Sequence, residues 1–591
     1  MNCHYKSLEP GVEEIRLLII WPSRDPDSWI RCDLMHVNLK DKLPYLALSY
    51  VWGRPSTVKT IWIRDTQVSV QPNLFSALRT CRHQYKPIII WVDALCINQS
   101  DISERNSQVA MMKSIYQNAY QVVIWLGEAS DNSDLAFLWI GRLKSAFDEL
   151  KARPHTPISE LELFNLIKDT AFDNHWVALR ALLYRPYWRR LWVCQELLYA
   201  KEAVVLCGSK HMDWQMFSLV VLLLSTLPLT MASETVLTIL GVLPKVPAMP
   251  LMRVDIRRAE GEVLALYEGL IFGRERLATE PRDYVYAILS IIRDNTITPD
   301  YSKSIQDVYT EAVVHSFKID RSANILTACK LPRIHHSSHV SSSWPSWLPN
   351  WTIMVDQAAY LNFTRFGDTQ KGYRKFCAGA REFPGFKLED GGLVIILHGL
   401  IVDCLAEDST TYAMDQDVRK EKSTAAHWNK WRSTPDRKQP YGDELAQKNA
   451  FTRTAVVGKL LVEVEDEVQS GDWTSFWEVA LGWTGYVSSE ADKSGDRERY
   501  FDLMARYLNA YDTAPQFFTT ERGWMGRGPA ELRAGDVVCV LFGADVPFIL
   551  RPAPNERYFL IGECYLDGIM YGEALKWLET GAASSQTFSI L

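Results

Sequence analysis

Tyr45-Leu-Ala-Leu-Ser-Tyr50 is a short uncharged, largely apolar run, and three more of its kind follow it: Ile88-Ile-Ile-Trp-Val92, Val122-Val-Ile-Trp-Leu126 and Ala203-Val-Val-Leu-Cys207. Each is apolar on both faces of an extended chain, as strands of a parallel sheet covered by helices on either side must be. Helical patterns lie between them. Pro72 opens one over residues 73–83, because its fixed φ suits a first helical turn. After Asn98 and Gln99, Asp101 with Glu104 three residues on reads as a capping box, and Val109, Met112, Ile115, Tyr116 and Ala119 then fall on one helical stripe. From about Leu43 to Trp214 this alternation predicts an α/β unit built on a parallel sheet, with extra strands over residues 60–70.

Outward from that unit the pattern changes. Residues 216–375 read as a mainly helical region that ends near a rigid aromatic segment, Trp344-Pro-Ser-Trp-Leu-Pro-Asn-Trp351. Leu393 to Cys404 and residues 516–571 read as strands, with turns at Arg522-Gly523, Gly526-Arg527-Gly528-Pro529 and Ala534-Gly535-Asp536. The expected organisation is thus an α/β domain over 1–215, the helical region, a small discontinuous β domain over 376–408 plus 511–591, and a charged, partly helical insertion over 409–510. The uncharged run 215–233 is long enough to suggest a membrane span. Pro228 interrupts it and Asp213 stands at its start as a cap, so a buried core helix is expected instead and no span.

A chain of 591 residues exceeds what one hydrophobic core holds, and 47% apolar residues with 21 tryptophans point to globular, well-buried units. A formal charge of -7 without a basic stripe argues against nucleic acid as a partner. The 11 cysteines are scattered without a Cys-x-x-Cys pair, and Met-Asn-Cys-His-Tyr-Lys lacks the profile of a signal peptide, so a cytoplasmic protein with reduced thiols is expected. His335, His336 and His339 lack a fourth ligand at metal spacing and read as loop. Gly523, Gly526 and Gly528 lack the strand-to-helix context of a phosphate loop.

Three blocks carry a family resemblance: Ala47-Leu-Ser-Tyr-Val-Trp-Gly53, Ile90-Trp-Val-Asp-Ala-Leu-Cys-Ile-Asn-Gln99, and Tyr184-Arg-Pro-Tyr-Trp-Arg-Arg-Leu-Trp-Val-Cys-Gln-Glu-Leu197. Together they resemble the fungal HET (heterokaryon incompatibility) domain. Looser likeness continues in Ala278-Thr-Glu-Pro-Arg-Asp283, in Ser346 to Trp351 and in the tail from Gly535-Asp536 to Gly572-Glu573. The resemblance implies an intracellular protein of self/non-self recognition that drives cell death through an N-terminal domain similar to TIR domains. Tyr187, Trp192 and Glu196 reproduce the spacing Tyr-x4-Trp-x3-Glu-Leu of plant-type TIR domains, whose glutamate cleaves NAD. By that match Glu196 is the catalytic candidate, NAD or a related nucleotide is the substrate, and no resident cofactor is implied.

One carboxylate suffices for such chemistry. The bond from nicotinamide to ribose already carries a positive leaving group, so no general acid is needed, and a carboxylate beside the sugar stabilises the oxocarbenium ion. Read as one continuous helix, the segment puts Trp188, Trp192 and Tyr199 on the side of Glu196 as an aromatic wall that raises its pKa and offers a stacking surface. The plainer reading makes Arg189, on that same face, its ion-pair partner and the tryptophans core. Ser49, Tyr50, Trp52, Gly53 and Arg54 follow the first strand, where open α/β sheets bind ligands, with Arg54 suited to a phosphate and Trp52 either a binding residue or the packing of a tight turn. Asp93 either bonds a ribose or caps the backbone from Cys96 to Asn98, and Asn98 and Gln99 shape the loop. Residues 128–184 are inserted relative to the TIR pattern. Two function classes stay open: an NAD glycohydrolase, and a non-catalytic module that associates with itself or with another incompatibility protein.

Overall fold

The structure, a computed structural model, describes residues 5–9, 11–53, 57–151, 173–225, 248, 251–252, 263–274, 276–329, 344–352, 376–379, 382–407, 412–413, 440–443, 446–447, 450, 453–454, 516–529 and 531–591. They fall into two compact units, Met1–Ile305 and Gln306–Leu591. Arg54, Pro228, His335, His336, His339 and most of the 409–510 insertion lie outside the described residues.

The first unit is built on β1 (Glu14–Ile20), β2 (Arg31–Asn38), β3 (Leu46–Ser49), β4 (Lys59–Ile63), β5 (Thr66–Val70), β6 (Ile88–Trp91), β7 (Gln121–Trp125), β8 (Ala203–Cys207) and β9 (Lys210–Asp213). They form one nine-stranded sheet in the order β5-β4-β2-β1-β6-β3-β7-β8-β9. The apolar runs expected as parallel strands are β3, β6, β7 and β8, which are contiguous and mutually parallel. After β3 the chain forms the edge pair β4–β5 and the helix that opens at Pro72, then enters β6 on one side of β3 and afterwards β7 on its other side. That reversal is a topological switch point, and the crevice at the carboxyl ends of the strands there is where open α/β sheets take ligands.

The sheet is mixed, which corrects the expectation of a parallel one. β1 runs antiparallel to both β2 and β6, and β8 antiparallel to β9. The expected extra strands over residues 60–70 are β4 and β5, an antiparallel pair at one edge. β1 and β2 escape a reading of the sequence because residues 21–30 join them, with no two-residue hairpin turn to announce the pair. Their pairing is complete, Glu14 opposite Asn38 through Ile20 opposite Cys32.

Helix α1 (Pro72–Cys81) starts on its proline and buries Leu74, Ala77 and Leu78. Helix α2 (Asp93–Cys96) is a single turn, and α3 (Ile102–Ala110) and α4 (Met112–Asn118) follow. The stripe read as one helix is therefore two, broken at Met111, although Met112, Ile115, Tyr116 and Ala119 are buried as expected. Only half of the capping box forms. Asp101 accepts from the Glu104 N–H at 3.0 Å, but the Glu104 carboxylate turns to the Asn98 N–H at 2.6 Å and to the buried Arg16 guanidinium at 2.6 and 2.9 Å. Arg16 is a stronger partner than a backbone amide.

Helix α5 (Ser133–Lys151) and the helix Trp214–Ser225 complete this side of the unit. The latter is capped by Asp213, which accepts from the Met216 N–H at 3.0 Å, and buries Phe217, Val220, Val221 and Leu224 at helical spacing. Each such side chain stabilises the fold by roughly 1.5–3 kcal/mol, so the described part of the apolar run is core, as read from the sequence. Among the described residues no helix is long and apolar enough to cross a membrane.

The second unit holds β10 (Phe386–Glu389), β11 (Val394–Cys404), β12 (Tyr412–Ala413), β13 (Gln516–Thr519), β14 (Met525–Gly528), β15 (Val537–Leu541), β16 (Phe548–Ala553), β17 (Arg557–Glu563), β18 (Tyr565–Leu566) and β19 (Gln586–Ile590). β11 pairs with β15 and with β19, and β15, β16, β17 and β19 pair in turn, so these strands close a ring. Closure removes the free edges of those strands. Leu400, Val402, Phe518, Val538, Val540, Ile549 and Ile561 make its core. Gly526, Arg527 and Gly528 stand in β14 and do not form the expected turn: a Cβ on Gly526 would meet the Phe518 ring and the Tyr565 carbonyl, so the glycine serves close packing of strands. Trp347 and Trp351 of the aromatic segment are buried.

Candidate functional site

The residues from Arg185 to Leu198 do not form the single helix read from the sequence. Pro186 starts a 3-10 turn that ends at Arg189, Arg190 is extended with φ -72° and ψ 133°, and the helix proper is Val193–Leu198. The break resets the phase, and each side chain goes its own way. Arg185 donates to the Glu128 carbonyl at 3.1 Å and to Ser130 at 3.0 and 2.8 Å, pinning the loop after β7. Trp188 is core, stacked on Phe217 at 5.6 Å, with its Nε1–H on the Leu182 carbonyl at 2.9 Å. Arg189 is exposed, so it is not the ion-pair partner of Glu196. Arg190 is.

Arg190 gathers the strand ends. It donates to Glu196 Oε1 at 2.8 Å, to Asp93 Oδ2 at 3.1 Å and to the Tyr50 carbonyl at 2.7 Å. The second Glu196 oxygen accepts a short hydrogen bond from Ser49 Oγ, and Ser49 Oγ lies 2.7 Å from the Tyr187 hydroxyl. Trp52 donates its Nε1–H to Asp93 Oδ2 at 2.7 Å, while Asp93 Oδ1 accepts from the Ala94 N–H at 2.7 Å. Ser49 ends β3 and Asp93 follows β6, so the cluster sits at the carboxyl ends of the central strands, where the switch point directs ligands. Burial lifts the Glu196 carboxyl to about 7, outweighing the Arg190 charge that pulls it down. Burial and the neighbouring carboxylates likewise push the phenols of Tyr50, Tyr116 and Tyr187 far up, so all three stay protonated donors. The buried walls of the cluster are thus phenols where the Trp188 and Trp192 indoles were expected, and the Trp52 indole stands on its exposed side.

Residues 45–196, from the strand that carries Ser49 to the glutamate itself, match the family described as Heterokaryon incompatibility protein (HET), and residues 489–580 match the Het-6 beta-barrel domain. The N-terminal stretch is thus similar to the HET domain. Along almost its whole length the chain is also similar to heterokaryon incompatibility protein 6, OR allele, of Neurospora crassa, with 26% identity over 95% of this chain and 94% of that one. No solved structure matches it.

The matched region both opens and closes on the buried cluster, with Ser49 and Tyr50 near its start and Glu196 at its end. Ser49, Tyr50, Trp52, Asp93 and Glu196 come together as proposed from the sequence, and Gly53 stands beside them with φ +83° and nothing within 4 Å of a Cβ. Asp93 does not cap the backbone from Cys96 to Asn98; Glu104 takes the Asn98 N–H, and Gln99 shapes the loop by donating to the Asp93 carbonyl at 3.0 Å. Trp192 turns away from the cluster and donates to Asp283 Oδ2 at 2.9 Å, and Tyr199 donates to the Ser290 carbonyl. Trp188 and Trp192 are thus not brought to the cluster in this conformation.

Two groups that hold this arrangement together were missed. Arg190 is hidden from a helical-wheel reading by the break at Pro186, and the proline itself is the signal that could have revealed it. Asp283 accepts from Trp192 and, at 2.7 Å, from Tyr301, and burial lifts its carboxyl to about 6 against those two bonds. It belongs to the Ala278–Asp283 block, whose likeness to the family is legible but whose contact with the glutamate helix is not.

Proposed function

We propose that this HET-domain protein acts in non-self recognition by triggering regulated cell death, and that its N-terminal unit, as a relative of TIR domains, hydrolyses the bond between nicotinamide and ribose in NAD with Glu196 as the catalytic carboxylate. The observation that supports this most is the cluster of Glu196, Asp93 and Arg190 at the strand ends. Buried ion pairs stabilise a fold no better than apolar side chains of the same size, so charges gathered in a ligand crevice speak for function. In the reaction the glycosidic bond breaks with its electron pair leaving on neutral nicotinamide. Water then adds to the anomeric carbon and gives up a proton. Ionised Glu196 stabilises the positive charge that passes through the ribose. NAD is a substrate here and no cofactor is required. The place of action is the cytoplasm, and activation comes from self-association or from another incompatibility protein.

Purified full-length protein incubated with NAD tests the reaction: nicotinamide release is expected, with a loss of at least a hundredfold in Glu196→Gln. Equal release by the two chains removes Glu196 from the mechanism.

A second reading rests on the same cluster. Glu196 is 0% exposed and both of its oxygens are taken, which suits a closed scaffold whose surface, around Trp52 at 41% exposed, meets another protein. If Glu196→Ala kills cells as the unmodified chain does while Trp52→Ala does not, this reading replaces the first.

A further inference from the structure

Arg190 is the least buried of the three charged groups Arg190, Asp93 and Glu196. Its side chain keeps 14% of its surface exposed, against 9% for Asp93 and 0% for Glu196. One guanidinium serves two carboxylates and a backbone carbonyl there, so acid is in excess. Beside it, Trp52 is fixed in orientation by its bond to the same Asp93 oxygen that Arg190 holds, yet two-fifths of the residue is open to solvent. An indole held by a buried acid and open outward is a preorganised platform for a flat ring.

No ligand reaches the Glu196 carboxylate while the guanidinium holds it, and the guanidinium does not leave two buried carboxylates for water, since that strands their charges. It exchanges only for a partner of equal quality. A diphosphate is such a partner, because its oxygens match the fork of arginine in charge and in bidentate geometry.

Resting on the hydrolase reading above, we propose that Arg190 is a partner-exchanging clamp: it holds Asp93 and Glu196 in the state described here, and passes to the diphosphate of a dinucleotide when one binds, which uncovers Glu196 beside the ribose. The charges then dictate the rest of the ligand. With Arg190 neutralised by phosphate, Asp93 and Glu196 face the bound ring, so a cationic ring on the Trp52 face is preferred to a neutral one.

The test uses the full chain, with ADP-ribose and inorganic pyrophosphate as probes in calorimetry, beside steady-state nicotinamide release from NAD. Asp93→Asn and Glu196→Gln each relieve Arg190 of one carboxylate, so each is expected to bind both probes at least fivefold more tightly than the unmodified chain, even though Glu196→Gln releases no nicotinamide. Arg190→Lys keeps the charge but loses the fork. It is expected to weaken both probes at least tenfold and to raise KM for NAD more than it lowers kcat, whereas a merely structural role would lower kcat and leave probe affinity alone. Unchanged probe affinity in Asp93→Asn and Glu196→Gln overturns the clamp, and does so even if Arg190→Lys fails to fold. Probe affinities that move as expected, with no nicotinamide released by any chain, support the exchange and remove the hydrolase reading instead. Nicotinamide release that depends on Glu196, with probe affinities unmoved, removes the exchange alone.

Discussion

Two effects compete at Glu196. Burial disfavours its charge and Arg190 favours it, and burial prevails: the carboxyl rises from 4.5 to about 7. A carboxyl that holds its proton more tightly when folded contributes stability fully below about 4.5, and that contribution is lost as pH rises through about 7. Glutamine is neutral at every pH. Relative to the unmodified chain, Glu196→Gln is therefore expected to gain about 2–3 kcal/mol of stability between pH 5 and pH 8, measured by urea denaturation; a difference that stays constant contradicts the raised pKa. Much of this cluster was legible in the sequence. Ser49, Tyr50, Trp52 and Asp93 follow strands, and a strand end is fixed by its own apolar run, so local pattern placed them. Arg190 was not legible, because its direction depends on the phase across the Pro186 break, which no local pattern reports.

The element that organises the unit is the segment from Arg185 to Tyr199. One of its faces holds the strand-end loops through Arg185 and Arg190, and another is held by residues beyond the matched family region. Trp192 bonds Asp283, Gln195 Nε2 donates to the Tyr286 carbonyl at 3.1 Å, Tyr199 bonds Ser290, the Leu191 N–H donates to the Leu277 carbonyl, and the Leu277 N–H donates to the Arg189 carbonyl. A fragment ending at residue 215 lacks all of these partners. It is expected to melt without a cooperative transition in circular dichroism, while a fragment ending at residue 305 melts cooperatively; equal transitions in the two would show that the later segment is dispensable. In the full chain, Trp192→Phe leaves the Asp283 oxygen without its donor in a buried place and is expected to cost about 1–3 kcal/mol in urea denaturation. Within the second unit, Gly526→Ala drives a methyl into the Phe518 ring and the strand behind it, and a loss of roughly 1–3 kcal/mol is expected by the same measurement.

At the scale of the whole molecule the chain joins two units of different construction, an α/β sheet with a buried charged cluster at its central strand ends and a β unit whose strands close on themselves. The parallel centre of the first was legible because each strand is doubly buried and therefore apolar throughout. Its antiparallel flank was not, since β1 and β2 meet across a ten-residue connection that carries no turn signature. The strands of the second unit were legible one by one, but the pairing of β11 with both β15 and β19 that closes the ring is a long-range fact. In the proposed function NAD links this architecture to cell death, and its level in living cells is the most direct measure of that link. When the full chain is expressed from an inducible promoter, cellular NAD is expected to fall before viability does, and both are expected to hold steady with Glu196→Gln at equal protein level. Death that proceeds equally with Glu196→Gln, or with NAD unchanged, contradicts the account.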